Sequence, residues 1–171
     1  MNILETDRLR LRELDADQDA GFVFELLNTP KFIKYIGDRG VRSDVEAAEF
    51  IDTRYRQSYR DHGYGLYAVE LRSSEFKRQI GMCGFVRRDT LPAPDLGFAF
   101  LPDFEGQGFG YESARAIMHY GRESLKFERV LAITSLDNDV SGSLLEKLGF
   151  NFESLIENGA ETLKLYGTNM S

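Results

Sequence analysis

The sequence predicts one mixed α/β domain built around a single central sheet. Three observations carry this expectation. The chain has 171 residues, within the roughly 100–200 that one domain takes and enough to bury about 68–70% of its unfolded surface. Its middle alternates polar and apolar residues with the period of two that half-buried strands show. Its last third switches between strand-like and helix-like segments.

The elements follow in order. Arg8-Leu9-Arg10-Leu11-Arg12 reads as an opening strand whose three arginines line one solvated face. Asp15 and Gln18 have the spacing of a capping box, Phe22, Val23, Leu26 and Leu27 follow at helical spacing, and Pro30 stops that helix. Ser43 and Glu46 form a second capping box, ahead of an apolar stripe of Val45, Ala48, Ile51, Tyr55 and Tyr59. A strand runs from about Tyr64 to Leu71, with Tyr67, Val69 and Leu71 on one face. Arg72–Arg78 is a polar connection. The next strand, Gln79–Val86, carries Cys83 and the core candidates Ile80, Met82 and Phe85. Leu91-Pro92-Ala93-Pro94 breaks the pattern. Asp95–Leu101 is a near-continuous apolar run, as expected of a central strand buried on both faces. Gly108–Leu125 is a helix packing on Ala114, Ile117, Met118 and Gly121, and Arg129–Ser135 is a strand. Asp137 or Asn138 caps a short helix with Leu144, Leu145 and Leu148, which Gly149 closes. Phe150–Ile156 and Thr162–Tyr166 form a final pair of strands around the turn Glu157-Asn158-Gly159.

Composition excludes several classes. The 28 acids exceed the 21 bases, for a net charge of −7, which argues against a nucleic-acid binder or a partner of anionic membranes. Cys83 is the single cysteine, so no disulfide framework exists. No stretch approaches the ~20 apolar residues of a membrane span. The opening residues lack the apolar run of a signal peptide. A soluble cytoplasmic protein is the expectation. Two histidines and one cysteine without ligand spacing predict no metal site.

The most informative segment is Phe104-Glu105-Gly106-Gln107-Gly108-Phe109-Gly110-Tyr111-Glu112. Alternating glycines between a buried strand and an amphipathic helix let an anion approach main-chain N–H groups. The helix N-terminus adds orphan donors and about half a positive charge. No Gly-Lys-[Ser/Thr] follows, which excludes a P-loop. Tyr111 occupies the position where the dinucleotide fingerprint needs Gly or Ala, and the loop comes too late in the chain for that motif.

Glu105-Gly106-Gln107-Gly108-Phe109-Gly110 resembles the acetyl-CoA pyrophosphate signature of the GNAT superfamily of N-acetyltransferases, Gln/Arg-x-x-Gly-x-Gly/Ala. Further on, Asn138-x-x-Ser141-x-x-Leu144-Leu145-Glu146-Lys147-Leu148-Gly149-Phe150 is similar to the family's next helix and strand. The opening Glu5-Thr6-Asp7-Arg8-Leu9-Arg10-Leu11-Arg12 looks like the start of its ribosomal-protein N-acetyltransferase (RimJ/RimL-like) branch. The resemblance implies a mostly antiparallel, twisted sheet of about six to seven strands, flanked by about four helices and splayed between the fourth and fifth strands. Those two would be Asp95–Leu101 and Arg129–Ser135. It implies acetyl-CoA as cosubstrate, with its pyrophosphate on the N–H groups of Gln107, Gly108, Phe109, Gly110 and Tyr111 in the loop that Gly106 begins. Pantetheine would pair with main-chain groups of Phe100 and Leu101, an N–H near Ala99 or Phe100 would face the developing oxyanion, and Asn138 and Ser141 would flank the thioester. The family often forms dimers. Glu105 departs from the pattern, because a carboxylate there repels a pyrophosphate unless it points away.

The implied reaction is acyl transfer from a thioester to a primary amine, either a protein N-terminus or a small amine. The net acidity favours a cationic acceptor through steering. Asp95 stands where the family often has an acidic base; otherwise it is a turn residue after Pro94. Leu145 occupies the position of a frequent Tyr acid, which leaves Ser141 as proton donor or as a helix-terminal hydroxyl. Cys83 reads as a small core residue rather than a nucleophile paired with His62 or His119. Asp38, Asp44, Glu46 and Glu49 either border an acceptor cleft or are solvated surface. A binding module that keeps the cradle without turnover is the alternative reading.

Overall fold

The computed structural model describes residues 1–73, 75 and 77–170. The strands are β1 (Asn2–Glu5), β2 (Leu9–Arg12), β3 (Leu66–Leu71), β4 (Gln79–Val86), β5 (Asp95–Phe100), β6 (Arg129–Ser135), β7 (Asn151–Asn158) and β8 (Glu161–Asn169). They form one sheet in the order β1-β2-β3-β4-β5-β6-β8-β7. Every neighbouring pair is antiparallel except β5 with β6. The helices are α1 (Ala20–Leu27), α2 (Pro30–Tyr35), α3 (Asp44–Phe50), α4 (Gln57–His62), α5 (Phe109–Glu123) and α6 (Asp139–Lys147). A π-helical stretch, Ile51–Arg56, joins α3 to α4, so these segments make five helices.

The sheet has a core on each face. Under α5 and α6 lie Leu9, Leu11, Tyr67, Val69, Phe85, Ala114, Ile117, Val130, Leu145 and Tyr166. Under the α1–α4 layer lie Leu14, Val23, Leu26, Ala47, Ile51, Ala68, Met82 and Leu101. With helices on both faces, β3 is buried on both, and even Glu70 is closed off from water.

Several expectations change. Eight strands stand where six to seven were expected. The additional one, β1, spans only four residues and carries a bulge between Asn2 and Leu4, so its sequence shows no alternation. Five helices stand where about four were expected. Pro30 follows the end of α1 and also opens α2 as its first residue, with the Thr29 side chain accepting the Phe32 N–H; proline suits that position because its missing donor would be unbonded anyway. Val45 is 78% exposed, because the buried row steps by four through Ala47, Ile51 and Tyr55 and leaves residue 45 on the far side. Arg12 is buried rather than solvated, held between Asp19 and Glu70. Within the Arg72–Arg78 connection, Ser74 and Phe76 lie outside the described residues.

The parting of the sheet decides where a ligand can enter. β4 and β5 pair at six positions, Gly81–Val86 against Asp95–Phe100. β5 and β6 pair only at Asp95 with Leu131, where the Leu131 N–H donates to the Pro94 carbonyl at 2.9 Å. Beyond that point the strands separate. They are the fifth and sixth strands, since β1 shifts the count by one. The second half of β5 is therefore half-buried, not enclosed on both faces as its apolar run suggests.

Candidate active site

A cleft of about 1610 Å³ runs along the gap between β5 and β6, from the α1–α4 layer to the glycine loop and the start of α6.

The loop is built by backbone sterics. Gly106 and Gly108 have φ of +73° and +84°, a left-handed region that side chains with a Cβ avoid. A Cβ on Gly108 would also lie 3.3 Å from the Arg8 guanidinium. Among the described residues, no hydrogen bond uses the N–H of Gly106, Gln107, Gly108, Phe109, Gly110 or Tyr111 as donor; the first amide of α5 with a partner is Glu112, bonded to the Gly108 carbonyl at 3.0 Å. Consecutive unbonded amides at the start of a 15-residue helix are a cradle for an anion. Glu105 is ion-paired with Lys31 of α2, so its carboxylate is neutralised beside the loop.

The register of β5 revises two expectations. The Leu101 N–H donates to the Ile80 carbonyl at 2.9 Å, so it is not free for a ligand. In an antiparallel ladder alternate residues face the partner strand, so Ala99, opposite Met82, also turns its N–H toward β4. The opposite parity, Phe98 and Phe100, turns main-chain N–H and C=O toward the gap. Phe100 was among the expected groups. Phe98 was missed, because pairing parity cannot be read before the register is known.

Asp95 is 1% exposed and accepts from Arg88 Nε at 3.0 Å. Burial pushes its carboxyl up to about 6, with the Arg88 charge opposing. It lines the cleft and shares its strand face with Ala99 and Leu101 by alternation, the face covered by the α1–α4 layer. Ser141 lines the cleft from the opposite side, in the first turn of α6. Its N–H is capped by the Asn138 side chain at 3.2 Å, and among the described residues its hydroxyl has no hydrogen-bond partner. Asn138, not Asp137, is the N-cap of α6. Sequence reasoning also missed Thr134 of β6, a cleft-lining residue whose buried hydroxyl has no partner among the described residues. Leu145, where a Tyr was sought, is buried.

Other candidates resolve simply. Cys83 is fully buried, and desolvation pushes its thiol up to about 12, which suits a core residue and not a nucleophile. His62 lines the cleft. Asp38 lines it too and is paired with Arg42, whereas Asp44, Glu46 and Glu49 do not. Among the described residues no group of three metal-ligating side chains exists, and no helix is long and apolar enough to cross a membrane.

Comparison with known proteins gives this geometry a context. The family profile described as the Acetyltransferase (GNAT) domain matches residues 8–151. An uncharacterized N-acetyltransferase of Bacillus subtilis, YoaA, is 30% identical over 155 residues, covering 90% of this chain and 85% of the relative. A spermidine N-acetyltransferase from Vibrio cholerae, solved with CoA and spermine, superposes with a TM-score of 0.77 at 20% identity, over 96% of this chain and 97% of the other. A RimL ribosomal-protein α-N-acetyltransferase, solved with coenzyme A, superposes with a TM-score of 0.72 at 19% identity, over 99% and 98%.

Proposed function

The chain belongs to the GNAT acetyltransferase family, and on that premise we propose that it transfers an acetyl group from acetyl-CoA to a primary amine by direct attack, with both substrates bound together. The observation that carries this reading is the run of unbonded amides from Gln107 to Tyr111, opening onto a gap whose β5 edge is free. An anion and an extended polar chain are the chemistry that such a surface satisfies.

In this reading Gln107, Gly108, Phe109, Gly110 and Tyr111 hold the pyrophosphate through backbone, and Gly106 gives the loop its turn. Phe98 and Phe100 hold the pantetheine arm through main-chain groups and direct an N–H at the oxygen on which charge develops, a donor worth roughly 10²–10³ in rate. When bound, acetyl-CoA supplies the activated carbonyl. Asp95 takes the ammonium proton of the acceptor through water; an affinity near 6 lets it hold that proton only briefly at neutral pH. Ser141, with Asn138 fixing its backbone, holds a proton at Oγ on the other side of the gap. Alignment of the two reactants supplies much of the remaining acceleration.

The acceptor is a primary amine, a protein N-terminus or a small amine. The RimL enzyme and the spermidine acetyltransferase named above represent these two kinds. The test is to mix protein, acetyl-CoA and a panel of N-terminal peptides, polyamines and amino acids, and to follow thiol release. Release with one class supports the reading; no release with any amine, together with no thermal shift by CoA, overturns it. A binding module without turnover is the second reading, favoured by the aliphatic Leu145, and stabilisation by CoA without release would select it.

A further inference from the structure

The segment Thr6–Arg8 lies about 100 residues from the glycine loop in sequence, yet it is bonded to both the loop and the helix behind it. Arg8 Nη1 donates to the Gln107 carbonyl at 3.1 Å. Arg8 Nε donates to Glu112 Oε1 at 2.6 Å. The Arg8 N–H donates to Glu112 Oε2 at 3.1 Å, and the Thr6 hydroxyl to the same oxygen at 2.5 Å. The guanidinium also sits over the Phe109 ring, 4.3 Å from its centroid.

Two consequences follow from elementary chemistry. The Gln107 carbonyl and the Gly108 N–H belong to one peptide unit. No peptide bond in the described chain is cis, so the two groups point in opposite directions. Drawing the carbonyl toward Arg8 turns the Gly108 N–H, which has no partner among the described residues, away from Arg8. Glu112 lies in the first turn of α5, where its charge would oppose an anion at the helix start. Arg8 and the Thr6 hydroxyl occupy both of its oxygens, so the carboxylate serves as an anchor.

We propose that Arg8 is a positioning residue for the cofactor loop: it fixes the Gln107–Gly108 peptide so that the Gly108 amide serves the pyrophosphate, and it neutralises Glu112 beside it. This rests on the reading that the loop holds CoA. Arg8 acts through the loop and not on the reacting atoms, so its loss weakens acetyl-CoA binding and spares the chemical step.

The experiment measures CoA binding by calorimetry, together with KM and kcat for acetyl-CoA, in wild type, Arg8→Ala, Arg8→Lys and Arg10→Ala. Arg10 is the control. It lies on the same strand and pairs with Glu5 at 2.9 Å, without touching the loop. Charge-assisted hydrogen bonds of this kind predict about a tenfold rise in Kd and KM for Arg8→Ala, with kcat within twofold of wild type. Arg8→Lys, which retains the charge without the forked donors, should fall between the two. Arg10→Ala should match wild type in Kd. Equal Kd in wild type and Arg8→Ala overturns the proposal, as does a kcat loss without a KM change, or an equal Kd loss in Arg10→Ala. Failure of the wild-type protein to bind CoA would instead overturn the functional reading beneath it.

Discussion

Asp95 illustrates how one residue carries both a stability effect and a candidate chemical one. Its folded-state affinity of about 6 exceeds the 3.8 of a free aspartate. Between those values the folded chain keeps a proton that the unfolded chain gives up, so the stability this one carboxyl contributes is fully present below about pH 4 and is lost as pH rises through 6. That difference in proton affinity corresponds to about 3 kcal/mol. Asp95→Asn should remove that slope, which urea midpoints at pH 4 and pH 7 would reveal; an unchanged slope would mean that another group carries it. If Asp95 is also the base, wild-type activity falls below about pH 6 and the variant loses that limb. This energetics was not legible in the sequence, where Asp95 reads as a candidate base or a turn residue after Pro94, because the proton affinity depends on burial and on Arg88. Thr134 was invisible for a related reason, since an unpartnered hydroxyl is defined by what does not surround it. Because that group is buried without a bond among the described residues, Thr134→Val should leave folding stability equal or raise it by up to ~1 kcal/mol, and a loss above 1 kcal/mol in a denaturation curve would show that the hydroxyl has a partner.

Among the elements, β2 and α1 are tied by charge as much as by packing. Arg12 bonds Asp19 at 2.7 Å through each of two nitrogens and meets Glu70 of β3 at 3.1 Å. Asp19 also accepts from the Asp15 N–H and from Gln79 of β4 at 2.8 Å. One guanidinium thus serves two buried carboxylates, joining three strands to the start of a helix. Arg12→Met would leave both acids without their cation and cost about 3–5 kcal/mol, measurable as a shift in urea midpoint; a change under 1 kcal/mol would mean that the acids relax to solvent. The alternation of Arg8–Arg12 identified the strand correctly and misjudged this side chain, because its partners lie 7 and 58 positions away. Elements with strong local signals were legible: β4 and β6 run over the residues the pattern gave, and the Ser43 cap forms as its spacing required. β5 was legible as a strand, and the family resemblance set it at the parting of the sheet, but which of its main-chain groups face the gap was not legible, because that parity depends on the register with β4.

For the whole molecule, the informative balance is between net charge and local field. A chain of net charge −7 is proposed to hold a polyanionic cofactor, and it carries the means in its backbone: glycines at positive φ, unbonded amides and a helix start. Acidity near the loop is compensated locally, Glu105 by Lys31 and Glu112 by Arg8. The loop itself was readable because glycine spacing is a local property, whereas the ion pairs around it join residues 74 and 104 positions apart. The most direct measurement of the central claim is a calorimetric titration of CoA into wild type and Gly108→Val. Wild type should bind one CoA per chain. The variant should remain folded and show no saturable binding, since a valine cannot hold a φ of +84°. Equal affinity of the two proteins would contradict the account, because the cofactor would then be held somewhere other than the glycine loop.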